Sequence, residues 1–414
     1  MKIFYQLRQI SFSVFILCNS IFIFSQDNEK IFPSWEEGEM EIHHINTGRG
    51  EAVFCIFPDG TTMLIDAGDL GPEINPGTTH GLPDESRQAG EWIARYISRI
   101  LPDKKMKSID YMFLTHFHGD HMGGSYPGSP KTAKGGDYTL SGITEVGEYL
   151  SFNKMVDRDW PTYQYPEPQQ NSGFENYLDF VKWNIENTGM EMERFIPGSN
   201  QQFTLVNKPE EYSGLFKIQN VISNGEVWTG EGVDTKSHFP NGESVNENMC
   251  CAGIKISFGD FDYFNGGDIY GRIPLNTAEW RDIETPVGKA LGPIEVCEAN
   301  HHAFIDAMSE SFIAEVRPQV FVLQVWHKHH INLTTLPSMY SKALYKEDRD
   351  IIPTNIPDIT AAYLGETHLN KLTGDGGHVV IKIQPGGNQY HIYLLSADDE
   401  SMTVKNIFGP YKCK

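Results

Sequence analysis

The run LTHFHGDHMGG, Leu114 to Gly124, holds three histidines and one aspartate between His116 and His121. It follows directly on SIDYMF (108–113), an apolar stretch of strand length. Imidazoles and a carboxylate at a strand end do not build a core. A chain carrying them must fold so that this loop sits at one end of a sheet, with room for other groups to converge on it. His116 and His118 are two apart and project the same way from an extended segment. Gly119 then lets the chain turn sharply before Asp120 and His121. The loop can therefore offer one pair of ligands to one ion and another pair to a second. Three imidazoles and a carboxylate are first-row-metal ligands by type.

The rest of the chain reads as strand-rich halves separated by a few helices. AVFCIFPDGTTMLIDAG is a hairpin turning at Pro58-Asp59-Gly60. In AGEWIARYISRILP, the residues Trp92, Ile93, Tyr96, Ile97 and Ile100 recur at helical spacing. ITEVGEYL and FNKMVDRD read as helix then strand, and YLDFVKWNIENTG as an amphipathic helix. Strands are expected at FTLV, FKIQNVIS, GIKISFG, FDYFNGGD and QVFVLQVW, with a helix at SESFIAEVRP and a closing hairpin at Gly386-Gly387. No fixed-period repeat or linker divides the chain. One domain over 41–396 is expected, followed by a C-terminal tail, 397–414. The aromatic, proline-rich segment 159–178, with Trp160, Tyr163 and Tyr165, reads as either a lid or a packed surface excursion.

Residues 1–25 pair Lys2 and Arg8 with a short apolar run and end at Ser25, as a secretory leader does. A secreted or periplasmic location is the expectation, with no membrane span after cleavage. The remainder carries 31 basic and 55 acidic residues. That charge disfavours extended nucleic acid and favours a small or envelope-derived substrate. Cys55, Cys250, Cys251, Cys297 and Cys413 follow no disulfide spacing. The adjacent Cys250 and Cys251 read as small apolar residues on opposite faces of a strand.

THFHGDH resembles the H-x-H-x-D-H motif of the metallo-β-lactamase superfamily. NTGRGEAVFCIFPDGTTMLIDAG, NENMCCAGIKISFGDFDYFNGGD, ANHHA and VWHKHHINLTTL are similar, in order, to segments of its competence-protein (ComEC-type) branch. The resemblance implies a four-layer αββα sandwich of the α+β class. It assigns His116 and His118 to a first metal, and Asp120 and His121 to a second, with Asp268 bridging. His301 or His302 completes the second site, and Asp120 with this doublet stands nearest the chemistry. Asp66 would hold a ligand histidine by its free N–H, while His330 and Asn332 would face the substrate. Most two-metal members place another histidine before the bridging aspartate. Here no histidine lies between His121 and His238, and Asn248 falls nearer the expected distance. The first site is therefore expected to be the weaker.

Two divalent ions so held, zinc or manganese, lower the pKa of water toward neutrality and polarise the bond it attacks, so the reaction class is hydrolysis. The resemblance favours a phosphodiester or related phosphoester. A hydrolase of acyl C–O or C–N bonds, in a lactone, ester or β-lactam, is the alternative. A non-catalytic, metal-stabilised binding protein is the third reading, disfavoured by the presence of both Asp120 and Asp268.

Overall fold

The computed structural model describes residues 30–71, 73, 75–124, 126, 128–164, 167, 168, 172–274 and 276–414. The leader-like segment and Tyr165 lie outside the described residues. The chain runs through β1 (Met40–His44), β2 (Val53–Ile56) and β3 (Thr62–Ile65), and crosses by α1 (Ala89–Ile100) to β4 (Ser108–Phe113). A one-turn helix, α2 (Gly119–Met122), carries the end of the histidine loop. Then follow α3 (Ile143–Tyr149), β5 (Ser151–Asp157), α4 (Ser172–Thr188) and β6 (Glu191–Arg194). After α5 (Pro209–Tyr212) come β7 (Phe216–Ser223), β8 (Glu226–Trp228), β9 (Thr235–Ser237), β10 (Gly253–Phe258) and β11 (Phe261–Asn265). Next are α6 (Glu284–Leu291), β12 (Val296–Glu298), α7 (Glu310–Val316), β13 (Val320–Leu323), α8 (Leu336–Met339), β14 (Asp350–Pro353) and α9 (Asp358–Leu369). The chain closes with β15 (His378–Ile383), β16 (Gln389–Leu395) and β17 (Val404–Lys412).

Two sheets form, in the orders β17-β16-β15-β1-β2-β3-β4-β5-β6 and β14-β13-β12-β11-β10-β7-β8-β9. Side-chain alternation puts Met40, Ile42, Val53, Cys55, Met63 and Ile65 on the inner face of the first sheet, against Ile254, Ile256, Phe258 and Val320 of the second. The intervening residues turn outward. Phe54, Ile56 and Leu64 meet Ile93 and Ile97 of α1, with Val146 of α3 and Phe180 of α4. On the far side Phe264, Cys297 and Phe321 meet Val287 of α6 and Phe312 of α7. The result is a four-layer αββα sandwich, the architecture the sequence implied. Each fully buried large side chain in such a layer contributes about 1.5–3 kcal/mol by transfer from water.

Within the first sheet β3, β4, β5 and β6 run parallel, as do β11 to β14 in the second. The loops after β3, β4, β11, β12 and β13 all emerge at the carboxyl ends of these parallel strands. That geometry gathers the chemistry-bearing residues at one end of the sandwich.

Several local expectations are corrected. FTLV forms no strand; Phe203 and Leu205 reach the inter-sheet core from an irregular segment. Cys250 ends a 3-10 turn, Glu247–Cys250, and Cys251 caps it, so neither lies in a strand. Alternation along MEIHH predicts one buried histidine, but His43 and His44 are both buried, with His43 bound to Glu41 and Tyr96 on the outer face. The segment set apart as a tail contributes β17, paired antiparallel to β16. Its exposed, irregular pattern hides an edge strand from periodicity. The aromatic segment is anchored: the Asp157 carboxylate takes the Tyr163 and Tyr177 hydroxyls at 2.7 and 2.9 Å. Tyr163 packs on Phe117 and Phe174.

Candidate metal centre

The histidine loop is held from below by close backbone contacts. A Cβ on Gly68 would stand 1.8 Å from the carbonyl oxygen of Asp120, and one on Gly50 2.5 Å from it. Glycine at both positions lets three loops meet. The Glu51 N–H donates to the Asp120 carbonyl and the Ala67 N–H to the His121 carbonyl, both at 2.8 Å. Asp66, in left-handed conformation at φ 55°, ends β3 and turns its carboxylate under the loop. It accepts the Thr115 N–H at 2.8 Å and the Thr115 hydroxyl at 2.7 Å, and faces His121 Nδ1 at 2.7 Å.

The second sheet contributes from the opposite side. Asp268 follows β11, and the doublet follows β12 on three left-handed residues, His301, His302 and Ala303, with φ of 46°, 53° and 56°. Buried Glu284 fastens this unusual run. Its carboxylate accepts from the Asn300 side chain (2.8 Å) and from the N–H groups of Met308 and Ser309 (both 2.7 Å).

The two oxygens of Asp268 serve different neighbours. Oδ1 lies 3.2 Å from His121 Nε2 and 3.4 Å from His302 Nε2. Oδ2 lies 3.6 Å from His116 Nε2 and 3.7 Å from His301 Nε2. Asp120 Oδ2 is 3.3 Å from His302 Nε2 and 3.6 Å from His121 Nε2. His116 Nε2 and His118 Nδ1 face each other at 3.0 Å. The doublet is thereby divided: His302 joins Asp120 and His121, and His301 turns to the other oxygen. The His301 ring is fixed by Asp306, whose Oδ1 is 2.7 Å from Nδ1, and it remains 18% exposed.

Among the described residues, two groups bring possible ligand atoms within 4.8 Å of one another: Glu51, His121, Asp268 and His302, and His116, His118 and Asp268. His121 Nε2, Asp268 Oδ1, His302 Nδ1 and Asn248 Oδ1 are buried with no hydrogen-bond partner among the described residues. Buried polar atoms left without partners are costly. Lone pairs from imidazole and carboxylate converging on a common point form a donor set that fits divalent cations. The charges around the centre are correspondingly unbalanced. Against the burial penalty, His121, His302 and His301 hold the Asp268 carboxyl well below its ordinary range. Burial, then the positive field of His121, pushes His116 well below the usual imidazole value.

Glu51 was not singled out from the sequence. It is buried behind His302, with Oε2 3.5 Å from Nδ1. Asn265 links it to Glu298, which also takes the Tyr263 hydroxyl (2.6 Å) and the Gln324 amide (2.9 Å). Its one sequence signal is an acid directly after Gly48-Arg49-Gly50 in the opening loop. Asp306 was missed as well, lying five residues past His301 in an unpatterned turn.

His330 and Asn332 stand differently from the rest. His330 is buried and stacks on His302, ring centroids 4.6 Å apart and planes at 14°. Asn332 Oδ1 closes its own turn, accepting from Thr334 N and Oγ1 at 3.0 and 2.9 Å. His238 belongs to neither ligand group. The excursion after β3 packs against the loop after β13. Thr78 bridges to His327, and a Cβ on Gly77 would stand 1.5 Å from His327 Nε2.

No protein-family model matches the chain, and no curated protein matches it. Solved structures similar to it include a new diphosphatase from the PhnP family, at 13% identity and a TM-score of 0.34, over 83% of this chain and 98% of that one. Human tRNase Z, short form, is similar at 10% identity and a TM-score of 0.30, over 68% of this chain and 91% of that one. A long-form RNase Z from yeast is similar at 13% identity and a TM-score of 0.32, over 72% of this chain and 38% of that one.

Proposed function

We propose that this chain is a two-metal hydrolase of the metallo-β-lactamase superfamily, acting on a phosphodiester or a related phosphoester. The observation that carries the proposal is the divergence of Asp268, one oxygen toward His121 and His302 and the other toward His116. In this reading Asp120, His121, Asp268 and His302 hold one ion, with Glu51 close by. His116, His118 and Asp268 hold the other, joined by the Asn248 amide oxygen. Divalent ions held there supply an activated water and stabilise charge developing on phosphoryl oxygens.

The protein's own residues do the positioning. Asp66 fixes His121 through Nδ1, so that Nε2 is the free atom. Asp306 fixes the His301 ring through Nδ1, with Nε2 facing the Asn248 side-chain amide. His301 is read as a proton-transfer group beside the reacting phosphoryl, being the exposed member of the doublet with Nε2 3.7 Å from Asp268 Oδ2. The rim carries His327, Lys328 and His329 on an otherwise acidic chain. A positive charge at the mouth, carried by Lys328, favours an anionic substrate small enough to avoid the surrounding acidic surface.

A panel of bis-p-nitrophenyl phosphate, a chromogenic cephalosporin and a lactone, each with added zinc or manganese, tests the proposal. Turnover of the phosphodiester, lost on chelation and restored by metal, is the expected result. Turnover of only the cephalosporin or the lactone would move the assignment to acyl chemistry. Inertness toward all three, with metal bound, would favour a binding protein.

A further inference from the structure

The group of His116, His118 and Asp268 lacks a third imidazole, and the 3-10 turn Glu247–Cys250 stands beside it. Asn248 is only 9% exposed, with Nδ2 3.2 Å from His301 Nε2 and Oδ1 without a hydrogen-bond partner among the described residues. The residue before it, Glu247, is also buried at the side chain. Its Oε1 accepts the backbone N–H of Phe117, at 3.0 Å. Phe117 is the residue between His116 and His118, so this one bond holds the peptide that sets the spacing of the two imidazoles.

Glu247 is itself clamped. Arg158, just past β5, donates from Nε to Oε1 and from Nη2 to Oε2, both at 2.8 Å. Its Nη1 donates to Asn224 Oδ1 at 2.9 Å, and Asn224 Nδ2 returns a bond to the Arg158 carbonyl at 2.8 Å. The guanidinium is wholly buried and lies 4.9 Å over the Phe117 ring. A two-point arginine–carboxylate pair fixes angle as well as distance. Burying such a pair is a poor route to stability, because desolvation of both charges offsets their attraction. Its place directly under one half of the metal centre gives it a different use.

We propose that the Arg158–Glu247 pair is the positioning device of the first metal site. Glu247 sets the His116–His118 spacing through the Phe117 N–H and delivers the Asn248 amide oxygen to the same ion. Neither residue touches the metal or the substrate. The inference rests on the two-ion reading above.

Zinc titration against a chromophoric chelator, with metal content by mass spectrometry, tests it in the full-length protein. Wild-type protein is expected to bind two ions. Glu247→Gln is expected to weaken one ion by about 10–100-fold while leaving the other within a few fold, as loss of a ligand-orienting partner does. Glu247→Gln alone strands the buried Arg158 charge, so the Arg158→Met/Glu247→Gln double variant keeps the test sound if the single variant folds poorly. It should show the same one-site weakening. Lys382→Met, which removes buried ion pairs to Glu39 and Glu41 outside both ligand groups, is the control for general loosening. It should lower the melting temperature and leave both affinities alone. Unchanged affinities in both Glu247 variants, or equal weakening of the two ions, would overturn the proposal. A wild-type protein that binds only one ion would remove the two-ion reading and the inference with it.

Discussion

His121 Nδ1 lies 2.7 Å from Asp66 Oδ2, and the same carboxylate is held from its other side by Thr115. The pair joins the end of β3 to the histidine loop after β4. It leaves His121 one free nitrogen, in one orientation. Asp66→Asn is expected to weaken the ion at Asp120, His121 and His302 by about 10–100-fold. Zinc competition measures this directly. Wild-type affinity in the variant would reduce Asp66 to a strand-end turn residue.

Asp268 and His116 should separate by stoichiometry. Asp268→Ala removes the carboxylate common to both ligand groups and is expected to lose both ions and all activity. His116→Ala should lose mainly one ion and regain part of its activity in excess metal. Mass-spectrometric metal counts decide the matter. An Asp268→Ala protein still carrying two ions would show the bridging role to be wrong.

Glu51 gives a prediction in which stability and binding move oppositely. Burial first, and the neighbouring Glu298 charge second, raise its carboxyl well above the unfolded value of 4.5. A raised acid favours the protonated folded state. Its contribution is therefore present below pH 4.5 and is lost as pH rises. In the metal-free protein at pH 7, Glu51→Gln should raise the melting temperature, with the gain shrinking toward pH 4. Metal affinity in the same variant should fall by about tenfold, since Glu51 backs His302. A melting temperature that drops at pH 7 would count against this account.

His378 supplies an acid-sensitive contact away from the metal centre. Its Nδ1 accepts the Asn46 N–H at 3.0 Å, and burial, followed by the nearby His43, lowers its pKa from 6.5 to about 3. The folded state holds it neutral, so its contribution is complete above pH 6.5 and is lost as pH falls through the window down to about 3. At pH 5 the loss is on the order of 2 kcal/mol from 1.36 kcal/mol per unit. His378→Asn keeps an acceptor near the Nδ1 position without the titration. The difference in unfolding free energy between wild type and variant, followed by urea melts from pH 7.5 to 5, should slope accordingly. A flat difference would exclude the contact as an acid-sensitive element.

The histidine loop was legible because its ligands are neighbours in sequence and a strand–turn–helix passage aims them without help. The sandwich was legible for a similar reason, since inward and outward residues alternate along β1, β2 and β10. Glu51, Glu247 and Asp306 were not: Glu51 stands behind His302, Glu247 takes the Phe117 N–H and Asp306 faces His301, and nothing in local spacing marks a carboxylate for such a task. The choice between His301 and His302 required the left-handed run that turns adjacent side chains to different oxygens. Phe203 and Leu205 read as strand because burial, and not pairing, selects their apolar character. β17 escaped notice because an edge strand needs little hydrophobic alternation.

The ligand groups draw on both sheets: His116, His118, Asp120 and His121 follow β4 of the first, and Asp268 and His302 follow β11 and β12 of the second. A cation held among them would act as a rivet across the seam between the two layers, added to the apolar core and to bonds such as Tyr411–Asp350 that already join them. Shear between the sheets by even an ångström would break the rivet. On the two-ion reading, retention of metal and registry of the two halves would be one property, and a chelator should let the seam breathe at this end first.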